Sequence, residues 1–227
     1  MVMTAVLPSR PMAPDAVGGC DANFSQRILL HNIAWETYES LLADLAEEHV
    51  FLTYDNGDLE LMSPLPKHDK AGVLLARLIF ANTEIRQIPI SSFARTTWRR
   101  RGLAKGLEAD ESFYIKNEPA VRGRTDIDLQ KDPPPDLAIE VDITRNTLKK
   151  EEIYADLGIG ELWRFDDEKL VIRKLTTERR YVESDVSPSF PDLPVAEIQR
   201  FMDMRHGMSE TAWVLAFRQW VQEQFSQ

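Results

Sequence analysis

Apolar and polar positions along the chain follow two periods, and the switches between them mark its elements. Over 35–48 the side chains Trp35, Tyr38, Leu41, Leu42 and Leu45 recur at helical spacing with acids on the other face, which predicts an amphipathic helix. Short apolar runs at 50–54 and 59–62 flank Asp55-Asn56-Gly57-Asp58, the Asn-Gly signal of a tight hairpin. Val73, Leu74, Leu75, Leu78, Ile79 and Ile85 then predict a well-buried helix over 68–87. Strands follow at 90–100 and 110–116, the second with Phe113 and Ile115 on one face and Asp110, Ser112 and Tyr114 on the other. The polar, proline-bounded stretch up to Pro135 reads as a loop with a short strand near 127–129. Beyond it come a strand at 137–143, a helix at 147–157 stopped by Gly158, strands at 161–165 and 170–175, and two closing helices. The last helix, 210–225, aligns Trp213, Phe217, Trp220 and Val221.

This order implies an α/β fold with a mixed central sheet flanked by helices, in which 137–143 and 161–165 form a right-handed parallel crossover. Residues 1–23, with Pro8, Pro11, Pro14 and Gly18-Gly19, read as a loose tail, residues 24–205 as the folded domain and 206–227 as an added C-terminal helix. The 227 residues are enough to bury a real core without staples. A formal charge of −10 opposes non-specific attraction to nucleic acid or anionic lipid, so any such affinity needs a local basic patch. The lone Cys20 can neither pair within the chain nor build a zinc site. With no long apolar run and no signal-like start, the expectation is a cytoplasmic protein with no membrane partner.

Chemistry concentrates in Asp136-Leu137-Ala138-Ile139-Glu140-Val141-Asp142-Ile143. Alternation puts Asp136, Glu140 and Asp142 on one face of a strand whose two faces should both be covered. Carboxylates there must be paired, solvated or bound to a cation. Lys150 precedes Ile153 and Tyr154 on the apolar stripe of the next helix and therefore faces these acids, and Asp110 opens a further strand. Two or three carboxylates and a lysine are the minimal equipment for metal-assisted phosphodiester cleavage, with Mg²⁺ or Mn²⁺ held by the acids. A buried salt-bridge cluster without a reaction uses the same residues, and both readings stay open at this level.

Four stretches together carry a family resemblance: Asn56-Gly57-Asp58-Leu59-Glu60-Leu61-Met62-Ser63-Pro64 with His68; Gly106-Leu107-Glu108-Ala109-Asp110-Glu111-Ser112-Phe113-Tyr114; Pro134 through Thr144; and Ile153-Tyr154 through Leu157-Gly158 to Glu161-Leu162-Trp163-Arg164. Over 35–202 the chain resembles the putative restriction endonucleases abundant in cyanobacteria, a branch of the PD-(D/E)xK nuclease superfamily. The resemblance implies the restriction-endonuclease-like core and a divalent-metal-dependent endonuclease acting on DNA. It implies Asp110 and Glu140 as catalytic metal ligands, joined by the Val141 carbonyl. Two departures stand out: Ala109 replaces the family's proline, and Asp142 fills the usual lysine slot, so the catalytic lysine is expected at Lys150. Glu60 is the candidate to complete the metal shell, with His68, Glu108 and Asp136 as auxiliary residues. Each has a plainer reading as a hairpin, helix-start or turn residue.

Arg95, Arg99, Arg100, Arg101 and Lys105 form a basic run suited to DNA phosphates, with Arg122 and Arg124 on another loop. A homodimer is expected because cutting a duplex takes two strand breaks. Two alternatives stand beside the nuclease: a catalytically inactive nucleic-acid-binding protein, and an interaction module docking through Trp213, Phe217 and Trp220. The nuclease reading expects Glu140→Ala and Lys150→Ala to abolish cutting with folding nearly intact.

Overall fold

A computed structural model describes residues 26–63, 66–141 and 148–225. The expected tail therefore lies outside the described residues. The chain forms β1 (Gln26–Leu30), α1 (Trp35–Asp44), β2 (Phe51–Asp55), β3 (Asp58–Ser63), α2 (Pro66–Arg86), β4 (Ser91–Ser92), β5 (Thr97–Arg100), β6 (Lys105–Glu108), β7 (Glu111–Tyr114) and α3 (Glu118–Val121). It continues with β8 (Leu137–Val141), α4 (Lys150–Leu157), β9 (Glu161–Phe165), β10 (Leu170–Leu175), β11 (Tyr181–Glu183), α5 (Val195–Met204) and α6 (Glu210–Phe225). The Asn56-Gly57 hairpin is as expected, both residues taking the positive φ (49° and 99°) that a type I′ turn demands.

Two sheets result. The first is antiparallel, in the order β1-β3-β2-β6-β5; the second runs β11-β10-β9-β8-β7-β4 and is mixed because β8 and β9 pair in parallel. The expected strand over 90–100 is broken. A turn containing Arg95 at φ 49° sends β4 into the second sheet and β5 into the first. The chain changes sheets again between β6 and β7, at Ala109-Asp110, and the two crossings are laced together by Arg95 N–H to the Asp110 carbonyl (3.3 Å) and Ala109 N–H to the Thr96 carbonyl (3.4 Å). Asp110 thus stands where the sheets meet. The expected short strand at 127–129 is irregular; Arg100 instead grips the Leu129 carbonyl through Nε and Nη2 (3.0 and 2.6 Å).

Three apolar clusters hold these layers. Leu137, Ile139 and Val141 of β8, with Phe113, Trp163 and Phe165, pack under α2, α5 and α6. On the other face, Ala138 and Leu162 meet Ile153, Tyr154 and Leu157 of α4, together with Trp98 and Leu107 of the first sheet. The helix α4 therefore lies between the sheets, and its Gly158 C-cap (φ 87°) takes the left-handed conformation that ends it. Trp35 and Tyr38 of α1 close the first sheet's outer face over Leu52, Tyr54 and Leu59. The C-terminal aromatic stripe is no docking face: Trp213 and Phe217 are buried in the main core, Trp213 Nε1 donating to the Phe201 carbonyl at 2.6 Å, and Trp220 packs against the same cluster. That arrangement removes the basis for the interaction-module alternative.

Gly106 shows how tightly α1 sits on the first sheet. A Cβ there would collide with Tyr38 Oη and crowd Arg99 Cβ at 3.0 Å. Gly106→Ala should lower the urea midpoint by the equivalent of about 1–3 kcal/mol, and adding Tyr38→Phe should recover part of the loss. An unchanged midpoint in the single variant would show that α1 can shift at no cost.

Candidate active site

Lys150 and Tyr154 lie one helical turn apart on α4, so both side chains reach the same point on the sheet below. That point is Glu140. Lys150 Nζ forms a short ion pair with its Oε1, and Tyr154 Oη donates to its Oε2 at 2.9 Å. All three residues are buried, at 3% exposure for Glu140, 6% for Lys150 and none for Tyr154. One step beyond the β7–β8 register, in which Glu111 faces Ile139, Asp110 comes opposite Glu140. Its Oδ2 accepts the Val141 N–H at 2.7 Å. Burial by itself would push the Lys150 pKa down. The attraction of Glu140 and Asp110 outweighs it despite repulsion from Arg27, and the net shift is upward, so the side chain stays an ammonium. Burial, reinforced by the same two carboxylates, raises the Tyr154 phenol well above its usual value and keeps it a donor.

Glu60 approaches from the first sheet. It is 1% exposed, and its Oε1 accepts Arg27 Nη1 at 3.1 Å. β1 pairs with β3 so that Arg27 and Glu60 point to the same face, toward α4. The centre thus brings together Asp110, Glu140 and Lys150, as the sequence pattern placed them, with Arg27 and Tyr154 added. Arg27 was missed because nothing in 24–30 signalled a strand that pairs with the hairpin. Tyr154 was legible as a stripe residue, but its hydroxyl's partner was not.

Other expected members stand elsewhere. Asp136 does not line the cleft: its Oδ2 accepts the N–H groups of Ile115 (2.7 Å) and Asn117 (2.9 Å), fixing the turn after β7 at the far end of β8. Asp142 lies outside the described residues, and of His68 only its backbone place near the start of α2 is described. Glu108 lines a cleft of about 310 Å³ with Arg95, Arg99 and apolar residues of α1 and β2, though it still feels the Lys150 charge. The basic run is largely engaged within the protein. Arg101 pairs with Glu36 and with Glu39 at 3.2 Å, and Lys105 bridges Asp55 (2.7 Å) and Asp156 (3.1 Å). Arg95 approaches the His49 ring at 2.9 Å, and Arg100 is taken by Leu129; Arg95, Arg99 and Arg101 are exposed. Arg122 and Arg124 are likewise paired, with Glu118 and Asp132 at 2.7 and 2.6 Å. A charge run is legible in sequence; its partners, contributed from distant segments, are not.

The donor chemistry suits a hard divalent cation. Asp110 and Glu140 offer carboxylate oxygens, and Mg²⁺ is commonly held by one or two carboxylates with water and substrate oxygens completing its shell. Among the described residues no three His, Cys, Asp or Glu side chains converge on a metal position. Glu60 is drawn to Arg27 instead.

Over residues 35–202, roughly three quarters of the chain, the sequence matches the family Uma2, "Putative restriction endonuclease". The chain belongs to the Uma2 family. Among solved structures, this Uma2 chain is similar to a putative nuclease belonging to DUF820 from Anabaena variabilis, at 13% identity and a TM-score of 0.44, covering 66% of this chain and 90% of that one. At that score the likeness decides nothing. No curated protein matches the chain.

Two outcomes follow from the burial of these charges. Lys150→Met strands the Glu140 carboxylate beneath α4 and should cost about 3–5 kcal/mol in urea unfolding, so the sequence-based expectation that removing Lys150 leaves folding nearly intact is corrected here. Glu140→Gln, which leaves the buried Lys150 ammonium with Asp110 as its nearest carboxylate, should cost a similar amount; small losses for both variants would mean the pair is solvated. The second outcome concerns Glu108 and Glu111, whose carboxyls burial pushes up to about 7, with Arg95, and for Glu108 also Lys150, pulling against it. A carboxyl that binds its proton more tightly folded than unfolded makes stability fall as pH rises from about 4.5 to about 7 and level off above. Glu108→Gln or Glu111→Gln should therefore raise Tm near pH 8 by an amount that shrinks toward pH 5. A pH-independent difference would contradict the burial of these groups.

Proposed function

We propose that this Uma2 protein is a divalent-metal-dependent endonuclease that hydrolyses phosphodiester bonds of DNA at the Asp110–Glu140–Lys150 centre. The carrying observation is that a buried carboxylate and a protonated lysine gather with a second carboxylate at the crossing from the first sheet to the second. The family membership supports the same class of reaction. Asp110 and Glu140, with the Val141 carbonyl beside them, are the residues to hold Mg²⁺ or Mn²⁺. When bound, such a cation would polarise the phosphate and lower the pKa of an attacking water.

The chain's own residues do the rest. Lys150, kept as an ammonium, offsets the negative charge that builds on the phosphate oxygens and is held in place by Glu140. Arg27, steadied by Glu60, adds a second cation near Lys150. Tyr154 fixes the Glu140 carboxylate plane by its hydrogen bond. Its loss in Tyr154→Phe should weaken metal affinity by about 10–100-fold, the usual effect of removing a hydrogen bond to a ligating group.

Isothermal titration of Mn²⁺ into wild type and Glu140→Gln, followed by incubation of the same samples with supercoiled plasmid, tests the reading. Wild type should bind the ion and nick or linearise the plasmid, and Glu140→Gln should do neither while still unfolding cooperatively. A wild-type protein that binds no ion and leaves the plasmid intact would show the cluster to be a structural salt bridge.

A further inference from the structure

Lys150 opens α4 at a place that does little to hold it. Among the described residues no side-chain hydrogen bond caps the helix at Lys149, and a cation in the first turn works against the helix dipole. Its anchors, the ion pair with Glu140 and the attraction of Asp110, are the residues that the nuclease reading gives to a metal ion. A lysine that serves the reaction must therefore be held by something else as well. The far end of α4 is fixed by Lys105 on the Asp156 carboxylate (3.1 Å) and by Arg179 Nη1 on the Asp156 carbonyl (2.7 Å). Those contacts lie about one and a half turns from Lys150.

Glu151 supplies the nearer hold. β8 and β9 run in parallel with Glu140 opposite Arg164, so the two stand on the same face at a strand spacing of about 4.8 Å. In the β9–β10 pair Arg164 faces Val171, and Arg173, two residues on, shares that face. Glu151 Oε1 accepts Arg164 Nη1 at 2.7 Å and lies 3.6 Å from Arg173 Nε. Two consecutive residues of one helical turn thus meet two adjacent strands, Lys150 on β8 and Glu151 on β9, with Arg173 of β10 behind. One contact alone would leave α4 free to roll about it; the second removes that freedom. Glu152, next along the turn, pairs outward with Lys149 at 2.9 Å. With side chains at 33%, 34% and 28% exposure for Glu151, Arg164 and Arg173, the clamp is partly shielded from water and holds better than a pair on open surface.

We propose that Glu151 is a positioning residue for phosphodiester cleavage: its ion pairs with Arg164 and Arg173 set the first turn of α4 so that the Lys150 ammonium keeps its place independently of Glu140. Glu151 touches no reacting group and acts through Lys150. The inference rests on the nuclease reading for the reaction that Lys150 serves. A catalytic group displaced by about 1 Å can cost roughly 100-fold in rate.

The test is the steady-state cutting of a labelled DNA duplex in Mg²⁺ by wild type, Glu151→Gln, Glu151→Ala, Arg164→Gln and the double variant Glu151→Ala/Arg164→Gln, each below its unfolding temperature, with Mn²⁺ titrated into the same samples. In Glu151→Ala kcat should fall about 10–100-fold while KM and Mn²⁺ affinity stay within about twofold. Glu151→Gln, whose amide oxygen still accepts from Arg164, should lose less, and the double variant should lose less than the product of the single losses. An unchanged kcat, whatever the unfolding midpoint, would make the clamp merely structural, and a raised KM would place it in substrate binding. Either result overturns the proposal and leaves the nuclease standing. A second arm needs no cutting. In metal-free urea unfolding, Glu151→Ala combined with Lys150→Met should lose less than the sum of the single losses, because the clamp has no ammonium left to place. Additive losses would overturn the link between Glu151 and Lys150. A wild type that leaves the duplex intact overturns the nuclease reading, and with it any role of Glu151 in cleavage.

Discussion

The centre of this structure depends on one buried ion pair, Glu140 with Lys150. A carboxylate at 3% exposure in a strand covered on both faces is costly unless its charge is met, and the ammonium at the start of α4 meets it. The constraint spreads outward. It sets the rotation of α4, because Tyr154 must point the same way to bond the second oxygen. That rotation places Ile153 and Leu157 in the cluster between the sheets and brings Asp156 to Lys105 on the first sheet. It also holds the β7 edge in register, since Asp110 caps the Val141 N–H beside Glu140. A cluster needed for folding and a cluster suited to cleavage are here the same residues.

The two-sheet arrangement explains why the centre has members from so many segments. The chain passes from one sheet to the other at Asp110, and Arg27 and Glu60 look inward from β1 and β3 toward the same helix. Among the described residues around Glu140, the carboxylates of Glu60 and Asp110 add negative charge and Arg27 and Lys150 add positive charge, a near balance with a slight acidic excess. A divalent cation and a phosphodiester together would change that balance by a single charge. The wider surface follows the same economy: acids meet Arg101 and Lys105 beside β5, and Glu151 and Glu183 meet Arg164, Arg173 and Lys169 around β9 and β10.

Periodicity made much of this legible. The strand at Leu137–Val141, the hairpin at Asn56-Gly57 and the inward side of Lys150 all follow from local alternation, which is fixed by backbone geometry alone. What depended on distant partners was not legible. The break at Arg95 requires two sheets to compete for one stretch, β1 has no signal apart from its partner β3, and the basic run gives no hint that Glu36, Asp55 and Asp156 lie against it. Asp136 looked like a site residue because it shares a face with Glu140. Backbone N–H groups of the adjacent turn claim it instead. The aromatic stripe of α6 was legible as a stripe, but whether it faced the core or a partner was a tertiary question that α2 and α5 answered.

The most direct measurement is anomalous diffraction from crystals soaked in Mn²⁺. The account predicts a peak within about 2.3 Å of carboxylate oxygens from both Asp110 and Glu140, with Lys150 Nζ next to it. An occupied Mn²⁺ site elsewhere, with Glu140 still bound only by Lys150 and Tyr154, would contradict it.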